Sequence, residues 1–156
     1  MRKFERVRDD AIKYDVKPDD IIMPIRATRF AAGYDFFSPI EITIPSMKSE
    51  IVWTNIKADM LEDEFLMLAV TSGMGKRGII LSNAIGIIDK DYYSNTNNDG
   101  NIGFRLTNLG SEPYTFKIGE KIGQGIFLKY LTTDIDNCQG IVRDGGFGST
   151  DNKVNK

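Results

Sequence analysis

Short apolar runs of period two dominate this chain. Residues 41–44 read EITI, 51–56 read IVWTNI, 65–70 read FLMLAV and 79–81 read IIL; further runs occupy 85–88, 102–106, 114–118 and 126–131. A period of two sends alternate side chains to opposite faces of a strand, and the β-branched and aromatic enrichment suits a half-buried pleated surface. Turn signals separate the runs at Ser38-Pro39, Pro45-Ser46, 97–100 and 108–111. Many short strands at this spacing predict an all-β barrel or sandwich. Helix is expected only as one short turn at 58–64. Residues 94–101, SNTNNDGN, read as a hairpin loop between Asp91-Tyr92-Tyr93 and the Ile102 strand. One domain is expected over 1–140. Beyond it, 141–156 is rich in glycine and poor in apolar residues, which predicts a mobile C-terminal arm.

Composition narrows the function. With 156 residues, 41% hydrophobic and 27% charged, the chain is long enough for one soluble, cored domain. Its net charge of -2 supplies no basic surplus for a long nucleic-acid groove, so no nucleic-acid partner is expected. Cys138 is alone and forms no internal bridge. The charged residues 1–10 contain no signal-like apolar stretch, and the run 65–70 is too short to span a bilayer. A cytoplasmic protein with no membrane partner is expected. Histidine is absent, which excludes Ser-His-Asp and Cys-His nucleophilic sites and His-based zinc sites. An enzyme built on this chain is expected to use a carboxylate base, and any metal to be a hard cation held by oxygens.

Five segments carry candidate chemistry. Gly33-Tyr34-Asp35, just before a strand, reads either as a bulge with a turn carboxylate or as a ligand site. Thr71-Ser72-Gly73-Met74-Gly75-Lys76-Arg77-Gly78 reads either as a solvated glycine loop or as a phosphate cradle built from backbone N–H groups; it is not a Walker A sequence. Asn83-Ala84-Ile85-Gly86-Ile87-Ile88-Asp89-Lys90-Asp91-Tyr92 ends an apolar strand in carboxylates, either solvated at a turn or desolvated enough to act as a base. Gln124, between two glycines, either sits in a polar turn or approaches a ligand closely. In Arg143-Asp144-Gly145-Gly146-Phe147-Gly148-Ser149-Thr150 the polar groups suit an anion and Phe147 suits a flat ring, since a Phe inside a glycine run is a poor core residue.

In this order the five segments resemble the five motifs of the trimeric dUTP pyrophosphatases, over roughly residues 24–151. The most specific parts are Gly86-Ile87-Ile88-Asp89-Lys90-Asp91-Tyr92 and Gly145-Gly146-Phe147-Gly148-Ser149-Thr150. Trp53-Thr54-Asn55-Ile56 looks like the family's TGI strand, and residues 94–99 resemble an insertion of the Gram-positive and phage branch. The resemblance implies a distorted jelly-roll β barrel, a homotrimer with sites at subunit interfaces, and hydrolysis of dUTP to dUMP and pyrophosphate. That reaction limits uracil incorporation into DNA and supplies dUMP for dTMP synthesis.

Roles follow by position. The resemblance makes Asp89 the carboxylate that activates water, and Tyr92 the ring under deoxyribose that leaves no room for a 2′-hydroxyl. Asn83, Gly86, Ile88 and Ile102 lie along the backbone expected to read uracil. Asp35 is expected to hold Mg2+ through its waters. Ser72, Gly73 and Gln124 are expected on the phosphates, with Lys76 and Arg77 as candidate phosphate contacts. Arg143, Ser149 and Thr150 are expected on the γ-phosphate, with Phe147 stacked on uracil and Gly148 among the substrate-binding residues. Three positions depart from the family pattern: Thr71 and Lys121 stand where Arg is usual, and Asp151 where Gly is usual. A catalytically weak relative that binds a phage-type repressor is the alternative of a different class. A dCTP deaminase is disfavoured, because it needs a Glu at the position of Arg105.

Overall fold

The computed structural model describes residues 1–136. In chain order its strands are β1 (Lys3–Arg6), β2 (Tyr34–Phe37), β3 (Ile42–Ile44), β4 (Ser49–Trp53), β5 (Ile56–Asp59) and β6 (Glu64–Ala69). A short helix, α1 (Ser72–Lys76), follows, and then β7 (Ile79–Leu81), β8 (Gly86–Asp89), β9 (Gly103–Asn108), β10 (Tyr114–Phe116) and β11 (Lys121–Lys129). A 3-10 turn at Lys90–Tyr92 leaves β8. All strand pairs are antiparallel, in the orders β2-β11-β6-β8, β4-β9-β7, β1-β5 and β10-β3. The all-β expectation holds.

The period-two faces meet in one core. Phe36, Ile44, Leu66, Leu68, Ile79, Phe104, Leu106 and Phe116 are fully buried, and Phe4, Tyr34 and Phe127 close its edge with tilted and edge-on ring contacts. Each such side chain contributes about 1.5–3 kcal/mol of transfer free energy. Glycine in β11 is part of this packing. A Cβ at Gly123 would lie 2.3 Å from the Phe104 ring, and one at Gly125 would lie 2.9 Å from the Phe36 ring.

Four local expectations are corrected. The run 51–56 is two strands, because Asn55 takes φ 60 and turns the chain between β4 and β5. The turn expected over 58–64 is confined to 61–64, where the Glu64 amide donates to Leu61 O at 3.2 Å, because Ala58 and Asp59 extend β5 against β1 and cross-strand pairing overrides local propensity there. The glycine segment at 71–78 contains α1 rather than only a loop. Residues 94–101 do not close a two-stranded hairpin, since β8 pairs with β6 while β9 pairs with β4 and β7. They form a crossover between sheets. No helix among the described residues is long and apolar enough to cross a membrane.

Candidate active site

Two groups of predicted residues lie at different corners of the β2-β11-β6-β8 sheet. In the first, Asp35 on β2 stands opposite Gln124 on β11. Asp35 is buried, and its Oδ2 lies 2.6 Å from Lys121 Nζ. The lysine that replaces the usual arginine therefore neutralises the carboxylate expected to serve magnesium. Gln124 Nε2 donates to Val70 O at 3.5 Å, and Gln124 Oε1 lies where a Cβ on Gly33 would come within 2.3 Å of it. Gly33 is thus no bulge filler; its missing side chain is the space that Gln124 uses.

Val70 leads out of β6 into α1. Thr71 O accepts the Met74 and Gly75 amides, each at 3.1 Å. Ser72 and Gly73 are exposed at the first turn, where helical N–H groups have no partner within the helix. Lys76 is exposed at the last turn. Arg77 is engaged elsewhere: its Nη1 donates to Tyr114 Oη at 2.7 Å, the guanidinium stacks 5.5 Å from that ring, and Glu120 lies 3.9 Å away. Among the described residues no three His, Cys, Asp or Glu side chains cluster as a metal site. A lone Asp35 carboxylate suits the water of a hydrated hard cation, not a centre ligated wholly by protein.

The second corner is the end of β8. Gly86 packs flat on Leu68, where a Cβ would meet Leu68 Cβ at 3.0 Å. Ile88 and Asp89 are half-buried, with Asp89 opposite Phe65 of β6. A cleft of about 400 Å³ is lined by Glu62, Asp89, Lys90, Asp91 and Tyr130. Lys90 leaves the turn to pair with Asp59. Burial pushes the Asp59 carboxyl up, but the Lys90 ammonium and the Met60 amide outweigh it and hold the group below the usual range. The Tyr93 phenol donates to Glu5, and the Lys57 and Lys90 ammoniums lie 5.0 and 5.7 Å from its ring centre. That hydrogen bond to Glu5, aided by burial, raises the phenol above its ordinary value, while Tyr93 and Lys3 hold Glu5 below its own.

The crossover behind Asp89 is a turn-rich segment that is mostly buried, with Ser94, Thr96 and Asn97 exposed. Tyr92, Asn95, Asn98, Asp99 and Asn101 are each no more than 9% exposed. Asp99 takes Lys57 Nζ at 2.8 Å and the Arg8 amide at 2.8 Å. Burial opposes the Asp99 charge, yet these donors leave its carboxyl below the usual range. Asn83 is exposed beside Ala84, which takes φ 63. Ile102 corrects an expectation. Its N–H donates to Ile56 O at 2.9 Å, its carbonyl accepts from Thr54 N at 3.0 Å and Thr54 Oγ1 at 2.9 Å, and its side chain is fully buried. It is a core residue with both backbone groups used inside the chain. The asparagine network and the Lys57–Asp99 pair had no warning in the sequence beyond a polar, turn-like composition. Arg143, Phe147, Gly148, Ser149, Thr150 and Asp151 lie outside the described residues, as does the arm expected at 141–156.

The register separates the two corners. Gln124 is opposite Ala69 and Asp89 is opposite Phe65. Four residues along β6 and two strand spacings across it put the two Cα atoms about 17 Å apart. The Asp89 and Gln124 side chains alone do not close that gap.

Comparison with known proteins supplies the identity. The dUTPase family profile matches residues 19–151. A deoxyuridine 5′-triphosphate nucleotidohydrolase of Lactococcus lactis is 34% identical over 147 residues, covering 93% of this chain and 98% of the relative. The Rattus norvegicus enzyme of the same name is 34% identical over 155 residues, covering 96% and 72%. A dUTPase structure from Streptococcus mutans superposes with a TM-score of 0.72 at 33% identity, covering 84% of this chain and 98% of that one. The dUTPase of phage phi11 of S. aureus shares the fold alone, with a TM-score of 0.70 at 16% identity over 90% of this chain and 98% of that one. The distorted jelly roll expected from the resemblance stands. With a profile that spans most of the sequence and an equally long relative more than 30% identical, the chain belongs to the dUTPase family.

Proposed function

We propose that this chain performs its family's reaction, hydrolysis of dUTP to dUMP and pyrophosphate, with Asp89 and the phosphate-binding groups supplied by different copies of the chain. The observation that carries this is the register. Asp89 and Gln124 sit on opposite sides of β6, about 17 Å apart. A site at an interface between copies brings the Asp89 corner of one onto the Ser72–Gln124 corner of another. A homotrimer with shared sites is the arrangement this reading adopts.

Asp89 accepts a proton from water as the water oxygen attacks the α-phosphorus. The bond from that phosphorus to the α–β bridging oxygen breaks, and pyrophosphate leaves with the electron pair. A placed carboxylate base contributes about 10²–10⁴-fold. Ser72, Gly73 and Gln124 donate to the phosphates, and Lys121 adds a cation beside them. Asn83, Gly86 and Ile88 border the uracil, and Tyr92 lies under the deoxyribose. Arg143, Ser149 and Thr150 are assigned to the γ-phosphate, Phe147 and Gly148 to the uracil face. Asp35 would hold Mg2+ through water, and the ion would supply neutralisation of phosphate charge and alignment of the triphosphate. The phage phi11 enzyme is described as coordinating a structural Mg(II) ion. A cytoplasmic location completes the reading.

Pyrophosphate release from dUTP, UTP, dCTP and dTTP, with and without Mg2+, tests the activity. Asp89→Asn is expected to bind dUTP and lose turnover; undiminished hydrolysis refutes the role of Asp89. Mixing Asp89→Asn with Gln124→Ala chains after co-refolding tests the shared site. Activity above either parent is expected, and none appears if both groups serve the same chain's site.

A further inference from the structure

Tyr92 is held at both ends by two asparagines of the crossover. Its main-chain oxygen accepts from Asn95 Nδ2 at 2.7 Å. Its phenol donates to Asn101 O at 2.8 Å and accepts from Asn98 Nδ2 at 2.7 Å. The asparagines are joined to each other, Asn95 Nδ2 donating to Asn98 Oδ1 at 2.9 Å. Asn95 Oδ1 takes the Asn97 and Asn98 amides at 3.0 and 3.1 Å, and Asn98 Oδ1 takes the Gly100 amide at 3.1 Å. Gly100, at φ 81, brings the loop so close that a Cβ there would lie 2.7 Å from Tyr92 O. Asn95 is 6% exposed, Asn98 9% and Tyr92 4%.

This hydrogen bonding exceeds what closing a loop requires. A tyrosine ring anchored only through its Cβ tilts about that bond, and its far end moves most. Here the far end is fixed by a donor and an acceptor, and a third hydrogen bond holds the main chain from which the ring projects. Each asparagine amide is oriented by further bonds, so neither turns away without leaving buried polar groups unpaired. A steric filter is only as selective as its wall is rigid, because the 2′-hydroxyl adds a single oxygen to the sugar.

We infer that Asn95 and Asn98 are specificity-determining positioning residues: by locking the Tyr92 ring they enforce exclusion of the 2′-hydroxyl and so discrimination of dUTP from UTP. The inference rests on the placement of Tyr92 under deoxyribose given above. The asparagine amides are engaged with Tyr92 and with each other, so their effect on the sugar is exerted through the ring.

The test compares kcat/KM for dUTP and UTP, with thermal melts, in Asn98→Ala, Tyr92→Phe, the double variant and Tyr92→Ala. Loss of one buried hydrogen bond to the ring is expected to narrow the dUTP/UTP ratio about five-fold in Asn98→Ala. Tyr92→Phe keeps the ring and removes the clamped hydroxyl, so it is expected to narrow the ratio similarly. The double variant is expected to narrow it no further than Tyr92→Phe alone. A proportional fall for both nucleotides at an unchanged ratio overturns the inference, because a merely structural role does that. Additive narrowing in the double variant also overturns it. Should Asn98→Ala fail to fold, Tyr92→Phe decides alone, and an unchanged ratio there overturns the clamp. Tyr92→Ala separates the two levels: an unchanged ratio removes the sugar-floor reading itself, whereas a collapsed ratio beside an unaffected Asn98→Ala removes only the clamp.

Discussion

Gly33→Ala is expected to disable Gln124 while leaving the fold standing. The added methyl lies 2.3 Å from Gln124 Oε1, 3.1 Å from Cδ and 3.2 Å from Cβ. Gly33 is not among the residues with positive φ, so alanine meets no backbone strain there. The worst overlap is with the tip of a flexible side chain, which swings away for about 0.5–1.5 kcal/mol of rotamer strain. The Cβ overlap asks β2 and β11 to separate by a few tenths of an ångström. Lower unfolded-state entropy returns about 0.4–1 kcal/mol. The balance is a loss of about 1 kcal/mol, or a fall of about 2–4 °C in melting temperature. Function suffers more. On the proposed phosphate role, a displaced Gln124 amide would forfeit a hydrogen bond worth about 1.5–3 kcal/mol, and kcat/KM is expected to fall about 10- to 100-fold. Pyrophosphate release and melting curves on Gly33→Ala, Gln124→Ala and the double variant measure both quantities. The two single variants should match in kcat/KM, with no further loss in the double. Wild-type kcat/KM in Gly33→Ala beside an impaired Gln124→Ala would falsify the reasoning, as would additive losses.

Two further perturbations read the parts that hold the site. Asp99→Ala strands the buried Lys57 ammonium and is expected to destabilise the protein by about 3 kcal/mol in urea unfolding. The Asp99 carboxyl is held below its unfolded value, so its contribution is present above about pH 4 and is lost as pH falls through the lower folded value. The wild type should therefore lose stability in that acid window more steeply than Asp99→Ala; parallel curves exclude the ion pair as the cause. Ala84→Gly relieves a left-handed backbone at φ 63 in an exposed turn and should gain about 0.5–1 kcal/mol, whereas a lower melting temperature contradicts that backbone conformation.

The sequence revealed most where side-chain alternation is undisturbed. The runs at 65–70, 79–81 and 102–106 became β6, β7 and β9 because each has one face in the core. It misled where a partner strand decides. Lys3–Arg6 carries three charges in four residues and gives no apolar signal, yet β5 makes it a strand, and that pairing also took Ala58 and Asp59 out of the short turn expected at 58–64. β11 begins at Lys121, five residues before the apolar run, because Gly123 and Gly125 leave room for the Phe104 and Phe36 rings. Glycines read along the chain as turn formers; only the packing shows that here they make room for aromatics. The asparagines of the crossover read as solvated for the same reason, since composition does not distinguish an amide facing water from one that another amide satisfies.

The candidate site shows the same division between what chain order and pairing each carry. Motif order placed Asp35, Ser72, Asp89 and Gln124 in one functional set, and the structure sets Asp35 opposite Gln124 while leaving Asp89 across β6. Sequence adjacency has no access to this separation, because register arises from which strands share hydrogen bonds. A slip of one residue between β6 and β8 would exchange the two faces of β8 and move Asp89 to the other side of the sheet. Register is held against that slip by the close seat of Gly86 on Leu68 and by the buried face of β6. The same register that fixes Asp89 also holds it across β6 from Gln124 of its own chain. On the reading proposed above, a second copy of the chain bridges that separation.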